Sequence, residues 1–397
     1  MFRGNRRSPA AAVVIALLSV LYVRPLNADD GAGRPTFESE VPFNVFAVIG
    51  GLEQLVGSTP SGQPLEIPPC DRWYVSPRRP VDMAAVREEV QAHAIRGLSL
   101  SEARDAWLVG LGDLTSLESL KLRGRRVSDV GMRSLGGLTA LRFLDLSHTG
   151  VTGAGMSHLT RLTALERLAL HGTEVADGGL EHLDALANLR ELDLGATGVT
   201  DVGLAHLEWL REMQVLRLAG TDVSDDGLAS LGNLTALEEL DISATQVGDD
   251  GLQAICGLRA LSMLDLSQTS VTDAALVYVR SLEGLRSLDL AGTQVTDAGL
   301  MLLQGLAELE DLDLSGTAVT DAGLRAAAEL PALRRLRLSR CAVTDLGLER
   351  LAAVPTLDSL DLSYTQVTAA GVAGLREALP DAAVTWFDAA PPLPLRE

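Results

Sequence analysis

From Leu117 to Pro380 the chain repeats every 24 residues through eleven blocks, with no insertion or deletion between them. A block of this size is far smaller than a domain and cannot bury its own apolar side chains, so only stacked copies give a continuous core. Two blocks read LRSLDLAGTQVTDAGLMLLQGLAE (285–308) and LEDLDLSGTAVTDAGLRAAAELPA (309–332). Leu309, Leu312 and Leu314 are interleaved with polar Asp311, Asp313 and Ser315, the pattern of a short strand with one buried face. A threonine follows, then a valine present in every block from Val127 to Val367. In T-D-x-G-L, Asp297 or Asp321 is expected to cap a short helix. Leu300 and Leu303 then put an apolar stripe inward, and Leu306 closes the turn. Glycine precedes the first helical leucine in ten of the eleven blocks, with Ala275 the exception. Glycine in a helix's first turn is unfavourable, so its recurrence predicts close backbone contact between neighbouring turns.

The block L-x-x-L-x-L-x-x-T-x-V-T-D-x-G-L-x-x-L-x-x-L-x-x resembles the leucine-rich repeat family, in particular its short bacterial members and the cysteine-containing class of F-box-type proteins. In that class the residue after the strand is Cys or Asn. Here it is Thr in nine blocks from Thr149 to Thr365, Cys341 in one, and Arg125 in the first. A hydroxyl or thiol there is expected to bond the backbone of adjacent turns, which makes Cys341 a structural substitute for Thr rather than a nucleophile. The resemblance implies an α/β solenoid, a right-handed horseshoe or arc with a parallel sheet on its concave face and short helices on its convex face. It also implies partner binding on the concave face, and it carries no shared catalytic residues.

In an in-register parallel sheet, equivalent residues lie roughly 4.8 Å apart. The outward residue in the middle of each strand then forms a row: Lys121, Asp145, Ala169, Asp193, Arg217, Asp241, Asp265, Asp289, Asp313, Arg337 and Asp361. Like charges about 5 Å apart in water repel by only about 1 kcal/mol, so a hydrated row is tolerable. Two readings fit it. Either L-D-L-S is the repeat's habitual strand, each Asp bonded to a serine such as Ser243, Ser267 or Ser315, or Asp241–Asp313 receives a divalent cation or a basic partner. Two departures from the consensus are further partner-binding candidates. Phe143, Asp145, His148, Arg167 and His171 fall on the second and third strands. Arg334, Arg335, Arg337, Arg340 and Tyr364 gather near the C-terminal end. Arginines and aromatics are enriched where partners are selected. On this reading, charge reversal of Arg335 and Arg337 weakens capture without altering the fold.

Composition narrows the function. A formal charge of −20 argues against nucleic acid as a partner. The one lysine, Lys121, lies outside any glycine-rich loop, so no Walker A motif exists. Cys70, Cys256 and Cys341 are too few and too scattered for a disulfide framework or a zinc ribbon. His158, His182 and His206 form a helix-side row about 8–10 Å apart, too widely spaced to share a metal. No cofactor is expected, since G-x-S-x-G, H-E-x-x-H and C-x-x-C are all missing. The enzymatic alternative is a hydrolase pairing His148 or His171 with Asp145 or Asp193.

Arg3, Arg6 and Arg7 precede a mostly apolar run from Ala10 to Val23. This is the layout of a signal peptide over residues 1–28, too short for a membrane span, and either cleaved or retained as an anchor. Residues 29–80 read as a Pro/Gly-rich leader. They are either partly disordered, the preferred reading, or a hydrophobic hook through Phe37, Phe43, Phe46, Val48 and Ile49. Residues 81–116 read as a cap helix begun by Asp82 and a degenerate first repeat. Residues 381–397 read as a capping strand and tail in which Val384, Trp386 and Phe387 close the core. The expected function is a non-catalytic, exported, monomeric scaffold (periplasmic, cell-surface or secreted). It would bind a protein, peptide or glycan on its concave sheet. The alternative is a structural component of the cell envelope.

Overall fold

The structure is a computed structural model that describes residues 36–61, 63–78 and 82–387. The expected signal peptide and the tail 388–397 lie outside the described residues. The chain divides into two compact units, one holding residues up to 150 with 161–165, the other 151–160 with 166 onward. Among the described residues, no helix is long and apolar enough to cross a membrane.

The first unit opens with strands where a loose leader was expected. β1 (Thr36–Phe37) pairs antiparallel with β4 (Leu65–Glu66). β2 (Phe43–Ile49) lies antiparallel between β3 (Leu52–Ser58) and β5 (Arg72–Pro77). Gly50 and Gly51, both left-handed (φ 56° and 79°), form the two-residue turn between β2 and β3. The physical reason for the correction is burial. Phe37, Phe43, Val45, Ala47, Val48 and Ile67 are all at most 3% exposed, and Phe37 packs on Trp73 with ring centroids 5.6 Å apart. β5 then runs parallel to β6 (Gly97–Ser101), which begins the repeat sheet with β7 (Ser119–Arg123) and β8 (Phe143–Asp145). Between β5 and β6 comes α1 (Met83–Ala92), capped by Asp82, whose Oδ1 accepts the Ala84 N–H at 2.9 Å. Val86 and Val90 are its buried face.

The second unit is a run of parallel three-residue strands from Arg167–Ala169 to Ala383–Thr385. Each pairs with the next at a register of 24 residues, as in Leu192↔Leu216, Leu288↔Leu312 and Leu360↔Val384. The repeated leucines and valines are buried almost without exception. The threonine after each strand donates its hydroxyl to the carbonyl three residues back in its own repeat, as in Thr293 to Leu290 at 2.6 Å. The bond to an adjacent turn is made at Thr317, whose hydroxyl lies 3.7 Å from the Cys341 thiol of the next repeat. That thiol also donates to the Leu314 carbonyl of the preceding repeat at 3.0 Å.

The helix-side expectation also needs correction. The helix N-cap is Thr, not Asp: Thr296 Oγ1 accepts the Ala298 N–H at 3.2 Å, and Thr344 Oγ1 the Leu346 N–H at 3.3 Å. Each Asp reaches forward into the next repeat. Asp297 Oδ1 accepts the Thr320 N–H at 2.8 Å while Oδ2 accepts the Thr320 hydroxyl at 2.7 Å. Asp177, Asp201, Asp249, Asp273, Asp321 and Asp345 repeat the bond. That carboxylate explains the glycines. A Cβ on Gly203 or Gly347 would lie 2.5 Å from Oδ1 of Asp177 or Asp321. The close approach to the preceding repeat is therefore real, and it involves backbone as well as side chain: a Cβ on Gly203 would also lie 3.2 Å from the Asp177 Cα. Charge-assisted bonds of this kind contribute roughly 1.5–3 kcal/mol each. Asp297→Ala is accordingly expected to lower unfolding free energy by about that amount in a urea titration, and a loss near zero would contradict the assignment.

Candidate functional site

On the sheet face away from the helices, strand after strand of the second unit reads half-buried, buried, half-buried. Its outward residues form in-register columns, with Asp241, Asp265, Asp289 and Asp313 on four successive strands. Each carboxylate accepts the backbone N–H two residues on, where the chain turns off the sheet: Ser243, Ser267, Ala291 and Ser315, at 2.8–3.0 Å. This is a local turn device of Asp, and it accounts for the L-D-L-S habit without any ligand. The Ser243 and Ser363 hydroxyls add to it at Asp241 and Asp361, both through Oδ1. Among the described residues no group of three or more His, Cys, Asp or Glu side chains could hold a metal ion.

The row is nevertheless electrostatically loaded. Burial first, then the Asp241 charge beside it, pushes the Asp265 carboxyl up to about 6. Burial with Asp265 and Asp313 on either side pushes Asp289 up to about 8. Asp313 is raised as well, by burial, despite its bonds to Ser315 and the nearby Arg337. At one end Arg217 donates to Glu239 at 2.6 Å, and burial raises the Glu239 carboxyl.

At the other end the arginine patch is internally paired. Asp311, its side chain only 3% exposed, accepts from Arg335 Nε at 2.8 Å and from Arg337 at 3.0 Å, and Arg337 also lies 3.5 Å from Asp313. Arg334 binds Asp358 at 2.9 Å. The expectation that Arg335 and Arg337 can be reversed without touching the fold is therefore corrected. These guanidinium groups compensate a buried carboxylate.

Beside them lies an exposed aromatic patch. Arg340 stands over the Tyr364 ring at 5.7 Å, and Tyr364 faces Phe387 with centroids 6.4 Å apart. Both rings are 59% exposed, so Phe387 does not close the core as expected, while Val384 and Trp386 are half-buried. Arg340 and Tyr364 share a position that is left-handed in successive repeats (φ 64° and 61°), where Gly172, Gly220, Gly292 and Gly316 also sit. Side chains there carry backbone strain that glycine avoids. The signal legible beforehand was the departure from glycine in that column.

The N-terminal candidates divide between the units. In the first, Phe143 lies under the Arg72 guanidinium at 5.1 Å, with Lys121 5.8 Å from its ring. Lys121 also pairs with Glu53 and stands 4.7 Å from the Tyr74 ring, whose hydroxyl donates to Glu53 at 2.7 Å. Sequence reasoning missed Glu53, Arg72 and Tyr74, since nothing in their spacing joins them to a repeat. Asp145 is 4% exposed, bonded to the Ser147 N–H at 2.9 Å and to Arg123 at 3.3 Å. His148 is exposed with φ 59°. In the second unit Arg167 faces Glu191 at 4.0 Å, and His171 Nδ1 is 3.8 Å from Asp193 Oδ1, beyond hydrogen-bond length. Asp193 accepts the Gly195 N–H at 2.9 Å.

A family model described as a leucine-rich repeat region matches residues 87–381. The chain belongs to the leucine-rich repeat family. Among solved structures it is similar to an internalin of Listeria monocytogenes, 22% identical, covering 76% of this chain and 89% of that one with a TM-score of 0.59. A TDR receptor is similar at 18% identity over 77% of this chain and 57% of the other, with a TM-score of 0.53. At these identities the likeness establishes the α/β leucine-rich repeat fold alone. No curated protein matches the sequence.

Proposed function

We propose that this leucine-rich repeat chain is an exported, non-catalytic scaffold that binds a protein or peptide on the open face of its sheet. The observation that carries the reading is the run of in-register strands in the second unit, most of whose outward residues stay half-buried, with Glu239, Asp311 and Asp313 buried. A surface so rigidly templated loses little conformational freedom when a partner docks. Its chemistry favours a basic segment, because Asp241, Asp265 and Asp289 stand on successive strands and of the three only Asp241 has an arginine, Arg217, in register with it. (Arg217 flanks Asp241, but its guanidinium bonds to Glu239.) The His171–Asp193 separation supports binding over acid–base chemistry, as does the Cys341 thiol, which burial raises.

The test is capture of partners from envelope and extracellular fractions, compared between the native chain and Asp241→Asn/Asp265→Asn/Asp289→Asn. The asparagines keep the turn acceptor and cannot ionise, and the comparison is made at pH 8.5, above the raised values of Asp265 and Asp289. Affinity for the captured partner is expected to fall roughly tenfold or more, while Trp209→Ala on the helix side leaves it unchanged. Equal capture by the triple variant would remove the acidic row from the reading. Loss of capture with Trp209→Ala would move the site to the other face.

A further inference from the structure

On the helix side of the second unit, successive repeats are tied by one device: an Asp whose carboxylate accepts the backbone N–H, and usually the hydroxyl, of a residue 23 positions on. Where threonine is replaced by Gly248, the carboxylate of Asp225 still takes the backbone N–H at 2.7 Å. One rung has lost both ends. The two positions are occupied by Gly153 and Ala176, so the Ala176 N–H has no carboxylate beside it. The helix Asp177–Leu180 that follows has no side-chain cap, whereas Thr200, Thr296 and Thr344 cap theirs.

The surroundings compound the loss. Gly153, Gly178 and Gly179 meet at this rung, and a Cβ on Gly179 would lie 2.9 Å from the Gly153 Cα. Beside them opens a notch of about 370 Å³, lined also by Ala154, Ala176, Glu181 and His182. Glycine has the most backbone freedom to regain on opening, and here the carboxylate tie that backs the helix packing at other rungs is missing. Across the rung the Glu174 N–H still bonds the Val151 carbonyl at 3.0 Å, and the two backbones bridge at Thr152 and Glu174.

We propose that the Gly153–Ala176 rung is a joint built into the second unit, at which the helix-side backbone opens locally and reversibly ahead of every other rung. Opening is confined to the helix side, and strand Arg167–Ala169 of the same repeat stays paired with Glu191–Asp193 of the next. The joint lies on the helix side, so it stands or falls separately from the binding face.

Amide hydrogen exchange on the full chain under native conditions tests it. Protection factors at Ala176–Gly179 are expected to be roughly tenfold or more below those at Thr200–Gly203 and Thr344–Gly347. Gly153→Asp/Ala176→Thr installs the pair found elsewhere and is expected to bring protection up to the level of those rungs. Ala176→Thr alone is not. A Cβ at 153 would meet the Gly179 N at 3.1 Å, so the converse variant is needed as well. Asp273→Gly/Thr296→Ala creates the same gap at a tied rung and is expected to lower protection at Ala298–Gly299 by a similar factor. Equal protection at Ala176–Gly179 and Thr200–Gly203 in the native chain overturns the proposal, and so does unchanged protection in the converse variant.

Discussion

Replacing Arg335 and Arg337 together by glutamate is expected to lower the unfolding free energy by about 3–5 kcal/mol, because it leaves a buried carboxylate uncompensated. Asp311 is that carboxylate. Its side chain is 3% exposed and both oxygens are bonded to the two guanidinium groups, at 2.8 and 3.0 Å. Removing one partner of a buried ion pair is worse than removing both, since the remaining charge has neither water nor a counter-ion. Adding Asp311→Asn to the double variant is therefore expected to recover a large part of the loss. A urea titration followed by circular dichroism measures all three proteins. A double variant within about 0.5 kcal/mol of the native chain would mean that these arginines are ordinary surface residues after all.

The second large effect runs the other way. Asp265 and Asp289 titrate near 6 and near 8 in the folded chain, against 3.8 for an unperturbed aspartate. The folded state thus binds protons more tightly than the unfolded chain between about pH 4 and 8, and stability falls as pH rises through that window. Between pH 5 and pH 8.5 the row is expected to forfeit roughly 2–4 kcal/mol. Asp289→Asn keeps the acceptor for the Ala291 N–H and cannot ionise. It is expected to raise the melting temperature at pH 8.5, to change it little at pH 5, and to flatten the profile between. A native profile that rises from pH 5 to 8.5, or an Asn variant less stable at pH 8.5, would contradict the assignment.

The repeat was legible because its apolar positions are invariant in kind: Leu288, Leu290, Val295 and Leu300 are buried as the 24-residue period requires. The bond from Asp297 to Thr320 was not legible. Asp next to Thr at a helix start reads as a cap, and only the stacking of rungs brings the residue 23 positions on within reach. The N-terminal strands were hidden for a related reason. Phe43, Val45 and Ala47 alternate as a strand should, but what buries them is docking against β5, where their partners Pro77, Val75 and Trp73 lie 34, 30 and 26 residues on, which no local pattern announces. The candidate surface was half legible. The acidic column fell where the period put it. Its arginines were read as free because the sequence shows them beside one another and not beside Asp311.

One 24-residue block is the structural quantum of this chain. The direct measurement is cooperative unfolding of two deletion variants. Deleting residues 237–260 removes one whole rung and brings Gln214 and Met263 into the places of neighbours, so the account predicts a folded chain with a single sharp transition. Deleting residues 237–248 puts strand against helix and should give no cooperative transition at all. Equal behaviour of the two, or failure of the whole-block deletion alone, would contradict it.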